Sequence, residues 1–168
     1  MKKLLLAVVG MFLTLAMAAC GGGSSGSSAG SSTSSCAGGS SSTSGSAAVT
    51  ALTVTDTTVG TGAALAAGNT ATLTVTGYLY NAGSTNNEGA VFQPTYSQTG
   101  AAIGVGNFIT GFDQGLLVGA GTANALKVGG TRIITIPAAL AYGACAPPAS
   151  AIPPNSALVF VVTLVSIP

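Results

Sequence analysis

The stretch IPAALAYGACAPPASAIPPNSALVF, residues 136–160, decides the fold of this chain of 168 residues. It brings together an AYG triplet, an Ile followed by two prolines and an apolar LVF segment, a combination that general fold requirements alone do not produce. It runs from the end of a strand predicted at Thr131–Ile136 into another predicted at Ala157–Ile167. In the second strand, alternate apolar residues are expected to face one side, namely Leu158, Phe160, Val162 and Leu164.

Two further strands and one helix are predicted upstream. Apolar and Thr residues alternate over 52–55 and again over 71–76, which is typical of strands with one buried face. Residues 109–118 are the only plausible helix, with Thr110 as its cap and Asp113 in its first turn, where a negative charge suits the helix dipole. One short helix against a curved antiparallel sheet is the expected layout, so the predicted fold class is α+β.

The composition excludes several kinds of function. Only four Lys or Arg and three Asp or Glu residues are present, so no basic surface can neutralise a row of phosphates, and nucleic acid is not expected as a partner. The chain has no His, which removes the commonest general base, the commonest transition-metal ligand and every Ser-His-Asp arrangement. Neither a metal site nor a cofactor is therefore expected.

The first residues have the shape of an export signal. Two lysines precede an apolar run over 4–15 that is too short for a membrane span, and small residues follow it. Cys20 comes next, in the sequence MAAC, which is similar to a bacterial lipoprotein cleavage site; the AMA triplet at 16–18 could alternatively serve an ordinary signal peptidase. The first interpretation makes residues 1–19 a lipoprotein signal peptide and Cys20 the lipid-bearing residue that anchors the protein to a membrane.

Residues 20–48 are predicted to form a flexible tether. They are almost entirely Ser, Gly, Ala and Thr, which cannot bury enough apolar surface to offset the entropy of ordering. A Gly/Ser coil of this length has a reach on the order of 30 Å. The Gly after Cys20 favours, by resemblance to lipoprotein sorting, an outer-membrane location facing the periplasm or the cell surface. The folded domain is expected over 49–168.

Five blocks of the sequence resemble, in the correct order, the FKBP-type peptidyl-prolyl isomerases. They are VTGYL at 75–79, AVF at 90–92, IGVGNFITGFDQGL at 103–116, VGGTRIITIPAALAYG at 128–143 and IPPNSALVF at 152–160. One such block is weak evidence, but five in order are specific. The resemblance implies a sheet wrapped around one short helix, and an enzyme that rotates X-Pro peptide bonds in proline-containing polypeptide clients. A macrolide inhibitor of the family is a further candidate ligand.

Carried over position by position, the resemblance implies a proline pocket. Its catalytic residues would be Tyr142, Phe112 and Ile109, with the Tyr142 hydroxyl donating a hydrogen bond to the substrate carbonyl near the proline. The substrate-binding residues would be Phe92, Phe108, Ile152, Phe160, Gln93 and Val75. The alternative interpretation is that the Phe residues are simply core, because large apolar residues on strands usually are.

Several positions depart from the family pattern. Most members have a Tyr on the second strand and an Asp after the Phe of the next block, where this chain has Val75 and Gln93. Two further positions that are normally aromatic are Thr99 and Ala101. Phe112 replaces a common Trp and keeps an aromatic floor with a smaller ring. The pocket is therefore expected to be more open, and the isomerase activity weaker.

Cys36 and Cys145 remain once Cys20 is assigned to the lipid. An exported chain with two remaining cysteines is expected to join them in a disulfide, which would hold the tether close to the pocket rim. Two unpaired thiols, or pairing with other molecules, are the alternatives. The helical dimerisation arm of other exported relatives is missing, so a monomer is expected.

Three hypotheses for the function follow from these observations. The first is a tethered prolyl isomerase that assists the folding of exported proteins. The second is a binding module with a degraded site, which the residues at 75, 93, 99 and 101 favour. The third is an unrelated Thr-rich β-sandwich, which explains the low charge but not the AYG and IPP motifs in register.

Overall fold

The computed structural model describes residues 43–147 and 150–168. Within these ranges the regular structure is one five-stranded sheet, one α-helix and three single-turn 3-10 helices. The strands are β1 (Thr53–Thr58), β2 (Thr70–Tyr80), β3 (Glu88–Ala102), β4 (Thr131–Ile136) and β5 (Leu158–Ser166), and the helix between β3 and β4 is α1 (Thr110–Leu117). The 3-10 helices are Ser46–Ala48, Thr85–Asn87 and Ala138–Leu140. No helix in the described ranges is long and apolar enough to cross a membrane.

Neighbouring strands all pair antiparallel, in the order β1-β4-β5-β2-β3. The predicted α+β fold class, an antiparallel sheet with one short helix, is confirmed. β4 has the bounds predicted from its sequence, while β5 and α1 each begin one residue later and end one residue earlier than predicted. These elements were predictable because each carries a regular apolar pattern that the sheet and helix bury.

The hydrophobic core lies between the inner face of the sheet and α1. The four alternating residues of β5 that were predicted to face one side are all buried. On β2 the same alternation buries Ala71, Leu73 and Val75, and the residues between them are half-exposed. Burying a large apolar side chain contributes about 1.5–3 kcal/mol, so these two strands supply much of the stability of the core.

Two glycines allow α1 to lie close to β4. A Cβ atom built on Gly111 would be 2.2 Å from Cγ2 of Ile136, and one built on Gly115 would be 2.3 Å from Cγ2 of Ile134. Gly111 and Gly115 are four residues apart, so they lie on one face of the helix. The close approach brings the first turn of α1, with Phe112, against the sheet.

The structure corrects three details of the sequence interpretation. Thr110 does not cap α1, because Ile109 is the N-cap residue and no side chain caps the helix. Residues 88–102, which were not predicted as one element, form the longest strand. Residues 44 and 46, which lie before the predicted boundary at 49, also bond to the folded domain. Ser46 is buried, and its Oγ accepts a hydrogen bond from the Ala157 amide at 3.0 Å.

Candidate active site

A cavity of about 270 Å³ lies between β3, the start of α1 and the loop after β4. We call it the aromatic cavity. It is lined by Phe92, Gln93, Tyr96, Asn107, Phe108, Ile109, Phe112, Tyr142 and Phe160. Seven of the nine residues predicted from the sequence to form a site are therefore brought together here, although they come from four separate stretches of the chain.

Four phenylalanine rings make a continuous wall of this cavity. The centroids of Phe108 and Phe112 are 5.1 Å apart, those of Phe112 and Phe160 are 5.1 Å apart, and those of Phe160 and Phe92 are 5.6 Å apart. The two contacts of Phe160 are edge-to-face, an arrangement that aromatic pairs favour. Phe112 and Phe160 are nearly buried, so they belong to the core and to the cavity wall at once.

The turn before α1 places Phe108 and Ile109 at the cavity. The carboxylate of Asp113 is buried and accepts hydrogen bonds from the amides of Gly104 at 3.0 Å and Gly106 at 3.1 Å. Both glycines have positive φ, 75° and 83°, which is unfavourable for residues with a Cβ. Asp113 therefore ties the helix to the preceding turn, beyond the favourable interaction with the helix dipole that its position predicted.

Hydrogen-bonded turns on both sides fix the backbone of Tyr142. Before it, the Gly143 amide donates to the Ala138 carbonyl at 2.9 Å, and Gly143 has a positive φ of 56°. After it, the Cys145 amide donates to the Tyr142 carbonyl at 3.1 Å, and the Asn155 amide donates to the Gly143 carbonyl at 2.7 Å. The half-buried phenol ring is therefore presented to the cavity from an ordered loop.

Cys145, in the same loop, is a disulfide cysteine. The residue bonded to it lies outside the described residues. Cys20 and Cys36 both lie outside them, so the predictions of lipidation and of a tether disulfide stay predictions. The predicted signal peptide, residues 1–19, and most of the predicted tether also lie outside them.

Two predicted substrate-binding residues do not line the cavity. Val75 is 1% exposed and packs in the core of the sheet, and Ile152 is 7% exposed and belongs to the same core. The rings of Phe160 and Phe112, and not these two side chains, form the cavity wall, so substrate contact by Val75 and Ile152 stays a prediction.

Two residues that sequence reasoning did not select also line the cavity, Tyr96 and Asn107. The register of β3 against β2 shifts twice between Val91 and Tyr96, so the simple alternation of a regular strand does not place Tyr96 beside Phe92. Burial, and to a smaller extent the neighbouring Tyr142, raises the pKa of the Tyr96 phenol above its ordinary value of 10.0.

No lining residue of the aromatic cavity is charged. The polar groups around it are two phenols and the side-chain amides of Gln93 and Asn107. The described part of the chain also contains no group of three or more His, Cys, Asp or Glu side chains that could hold a metal ion. The available chemistry is therefore apolar contact with hydrogen bonding from neutral donors.

The one ion pair of the described residues lies at the other end of α1. Arg132, 1% exposed, donates from Nε and Nη2 to the two carboxylate oxygens of Asp56 at 2.6 and 2.9 Å. Its Nη1 donates to the carbonyls of Gly115, Leu116 and Val118 at 2.9–3.2 Å, and its Nη2 also donates to that of Asn124 at 3.1 Å. The guanidinium therefore satisfies the C-terminal carbonyls of α1 and joins them to β1.

Comparison with known proteins gives a consistent result. Residues 62–165 match the family model described as FKBP-type peptidyl-prolyl cis-trans isomerase. None of the curated proteins compared with the chain matches it.

Solved structures are also similar. The crystal structure of AtFKBP13 is 31% identical over 70% of this chain and 93% of its own, with a TM-score of 0.52. FkpA from Escherichia coli is 29% identical with a TM-score of 0.50, and the match covers 70% of this chain but 48% of FkpA. A peptidyl-prolyl cis-trans isomerase from Pseudomonas syringae pv. tomato shares the fold at 22% identity, over 69% of this chain and 74% of its own, with a TM-score of 0.51.

Proposed function

The chain belongs to the FKBP-type peptidyl-prolyl cis-trans isomerases, and we propose that the aromatic cavity is where it rotates the X-Pro bonds of its substrates. The observation that supports this site is the continuous wall of four phenylalanine rings, closed by Tyr142 and free of charged side chains. A proline ring is apolar and flat-sided, so a wall of this kind can receive it without desolvating a charge.

The chemistry requires no nucleophile. Rotation about an X-Pro bond breaks no covalent bond, but amide resonance must be lost, which gives a barrier of about 18–20 kcal/mol. The planar amide is more charge-separated than the twisted one, and a water-poor apolar cavity favours the twisted form. Phe112 and Ile109 supply apolar contact at the start of α1, and the Tyr142 hydroxyl donates a hydrogen bond to a substrate carbonyl near the proline.

A protease-free isomerisation assay on an Ala-Leu-Pro-Phe peptide tests this assignment. The variants Tyr142→Phe and Phe112→Leu are expected to lower kcat/KM by at least about tenfold, because each removes a contact with the rotating amide. Tyr78→Phe is the matched control, since Tyr78 lies on β2 and does not line the cavity. Turnover that stays at the wild-type level in both cavity variants would place the activity elsewhere. Inhibition by a macrolide ligand of the family is a second expected result.

A second candidate function is binding of proline-containing segments with little catalysis. Gln93, exposed at the cavity rim, favours it, because it stands where most members have an Asp. The same peptide distinguishes the two functions. An enzyme accelerates cis-trans exchange of the bound peptide, whereas a binding module lowers the free peptide concentration and leaves the exchange rate unchanged.

Export and lipid anchoring are part of the proposal. The basic start, short apolar run and MAAC sequence support cleavage before Cys20 and acylation of that residue, with the domain held outside the cytoplasm at a membrane, as a monomer. In a bacterial host, Cys20→Ser is expected to move the protein from the membrane fraction to the soluble fraction. Retention of the variant in the membrane fraction would contradict lipid anchoring.

The remaining cysteines are proposed to pair with each other. Cys145 is disulfide-bonded, and assigning Cys20 to the lipid leaves Cys36 as its partner. Peptide mapping by mass spectrometry without reductant tests the pairing, which predicts a cross-linked peptide that contains residues 36 and 145. A cross-link from Cys145 to Cys20 would contradict both this pairing and the lipid assignment.

A further inference from the structure

Tyr96 lies on β3, one of the two edge strands of the sheet, beside the aromatic cavity. Phe92 and Tyr96 are half-buried against the core, whereas Pro94, Thr95 and Ser97 between and after them are exposed. The strand therefore presents two aromatic side chains, Phe92 and Tyr96, to the cavity, although its register with β2 shifts between them.

The residue directly opposite Tyr96 on β2 is Val75. Opposite residues of an antiparallel pair have side chains on the same face of the sheet, so Val75 and Tyr96 are neighbours. The Val75 side chain is short and fully within the core, and it leaves the Tyr96 ring to reach the cavity. Where the family pattern has a Tyr at position 75 of β2, this chain has Val75, and the strand beside it supplies an aromatic ring at Tyr96.

The hydroxyl of Tyr96 is available to a ligand. Among the described residues, neither Tyr96 nor Tyr142 makes a side-chain hydrogen bond to another protein group, although both line the cavity. The electrostatic effect of Tyr142 on Tyr96 also indicates that the two phenols are close together. Both phenols are half-buried and neither hydroxyl is fully buried, so a carbonyl of a segment that enters the cavity can replace solvent as their hydrogen-bond partner.

We propose that Tyr96 is a second hydroxyl donor to the substrate, which binds a backbone carbonyl of the proline-containing segment while Tyr142 binds the carbonyl near the proline. This inference rests on the proposed function of the cavity. Tyr96 holds the extended segment in place, so it contributes to substrate binding. Tyr142 and the phenylalanine wall contact the rotating amide.

The substitution Tyr96→Phe tests the proposal, because it removes the hydroxyl and keeps the ring. The expected result is a rise in KM of about five- to tenfold with kcat changed by less than about twofold, as expected for one lost hydrogen bond made equally in ground and transition states. The melting temperature should remain that of the wild type, and Tyr78→Phe should leave both kinetic constants unchanged. Direct binding of a fluorescein-labelled Ala-Leu-Pro-Phe peptide should weaken by the same factor as KM rises.

Failure of this inference can be separated from failure of the proposed function. A wild-type KM in Tyr96→Phe, together with a loss of activity in Tyr142→Phe, would overturn the role of Tyr96 and leave the isomerase site intact. If the wild type binds the labelled peptide without accelerating its exchange, the dissociation constant of Tyr96→Phe still decides the role of Tyr96. Absence of both binding and turnover in the wild type would overturn the site and the inference together.

Discussion

Phe112 and Tyr96 show how differently two cavity residues can be predicted. Phe112 lies inside a sequence block with a recognisable order of residues, and the structure places it where that block implied, in contact with Phe108 and Phe160. Tyr96 lies in a stretch with Pro94, Gly100 and few apolar residues, which gives no periodic signal. Its position depends on pairing with Val75, and the register of two strands is not written in either strand alone.

The raised pKa of Tyr96 has a consequence for stability at alkaline pH. A folded-state pKa above the unfolded value means that the folded protein holds the proton more tightly, so this contribution is present below the unfolded pKa, near 10.0, and is lost as the pH rises through the folded one. The free energy of unfolding of the wild type should therefore fall more steeply than that of Tyr96→Phe above about pH 10. Urea denaturation at a series of pH values measures this. Equal slopes in the two proteins would contradict the burial of the phenol.

At the scale of elements, local patterns predicted β4, β5 and α1, but not what joins them. Asp56 and Arg132 are 76 residues apart in the chain, and their ion pair exists because β1 and β4 are adjacent in the sheet with these two residues in register. The sequence has few charged residues, and both of these are easy to find in it. That they form an ion pair, however, follows only from the order of the strands. The close packing of α1 on β4 at Gly111 and Gly115 likewise follows from which elements are neighbours, and not from the local pattern of either element.

Arg132→Met is expected to destabilise the fold. The substitution leaves four backbone carbonyls without their donor, and each acceptor that stays buried and unsatisfied costs about 1–3 kcal/mol, whereas the Asp56 carboxylate is exposed and is solvated when its partner is removed. Urea denaturation gives the free energy of unfolding. The matched control is Lys127→Met, because Lys127 has no ion pair in the described part of the chain. A loss below about 1 kcal/mol in Arg132→Met would show that the network contributes little.

At the scale of the whole molecule, composition predicted a flexible tether over residues 20–48, and the structure describes residues 43–48 of that range. Residues 43–48 contact the folded domain through polar groups: the Ser44 carbonyl accepts from the Ala82 amide, and Ser46 accepts from Ala157 while its hydroxyl bonds to that of Thr43. The hydrophobicity of the sequence could not predict this contact, because it depends on one buried hydroxyl that accepts from a backbone amide and not on a pattern of apolar residues.

Ser46→Ala is expected to release this segment from the domain. It leaves the buried amide of Ala157 without an acceptor, a loss of about 1–3 kcal/mol in the free energy of unfolding, and faster amide exchange at Ala157 should accompany it. Ser44→Ala is the control, since the Ser44 side chain is exposed and its carbonyl contact is kept. Unchanged exchange at Ala157 in Ser46→Ala would show that the segment is held by other contacts.

The central claim is that a cavity without charged side chains rotates the X-Pro bond by apolar contact and neutral hydrogen bonds. Its most direct test is the pH dependence of kcat/KM in the protease-free assay. We expect a flat profile from about pH 5 to about pH 9, because no carboxylate or imidazole lines the cavity. A bell-shaped or sigmoidal profile, with a change of tenfold or more inside that range, would show that a titrating group takes part and would contradict the claim.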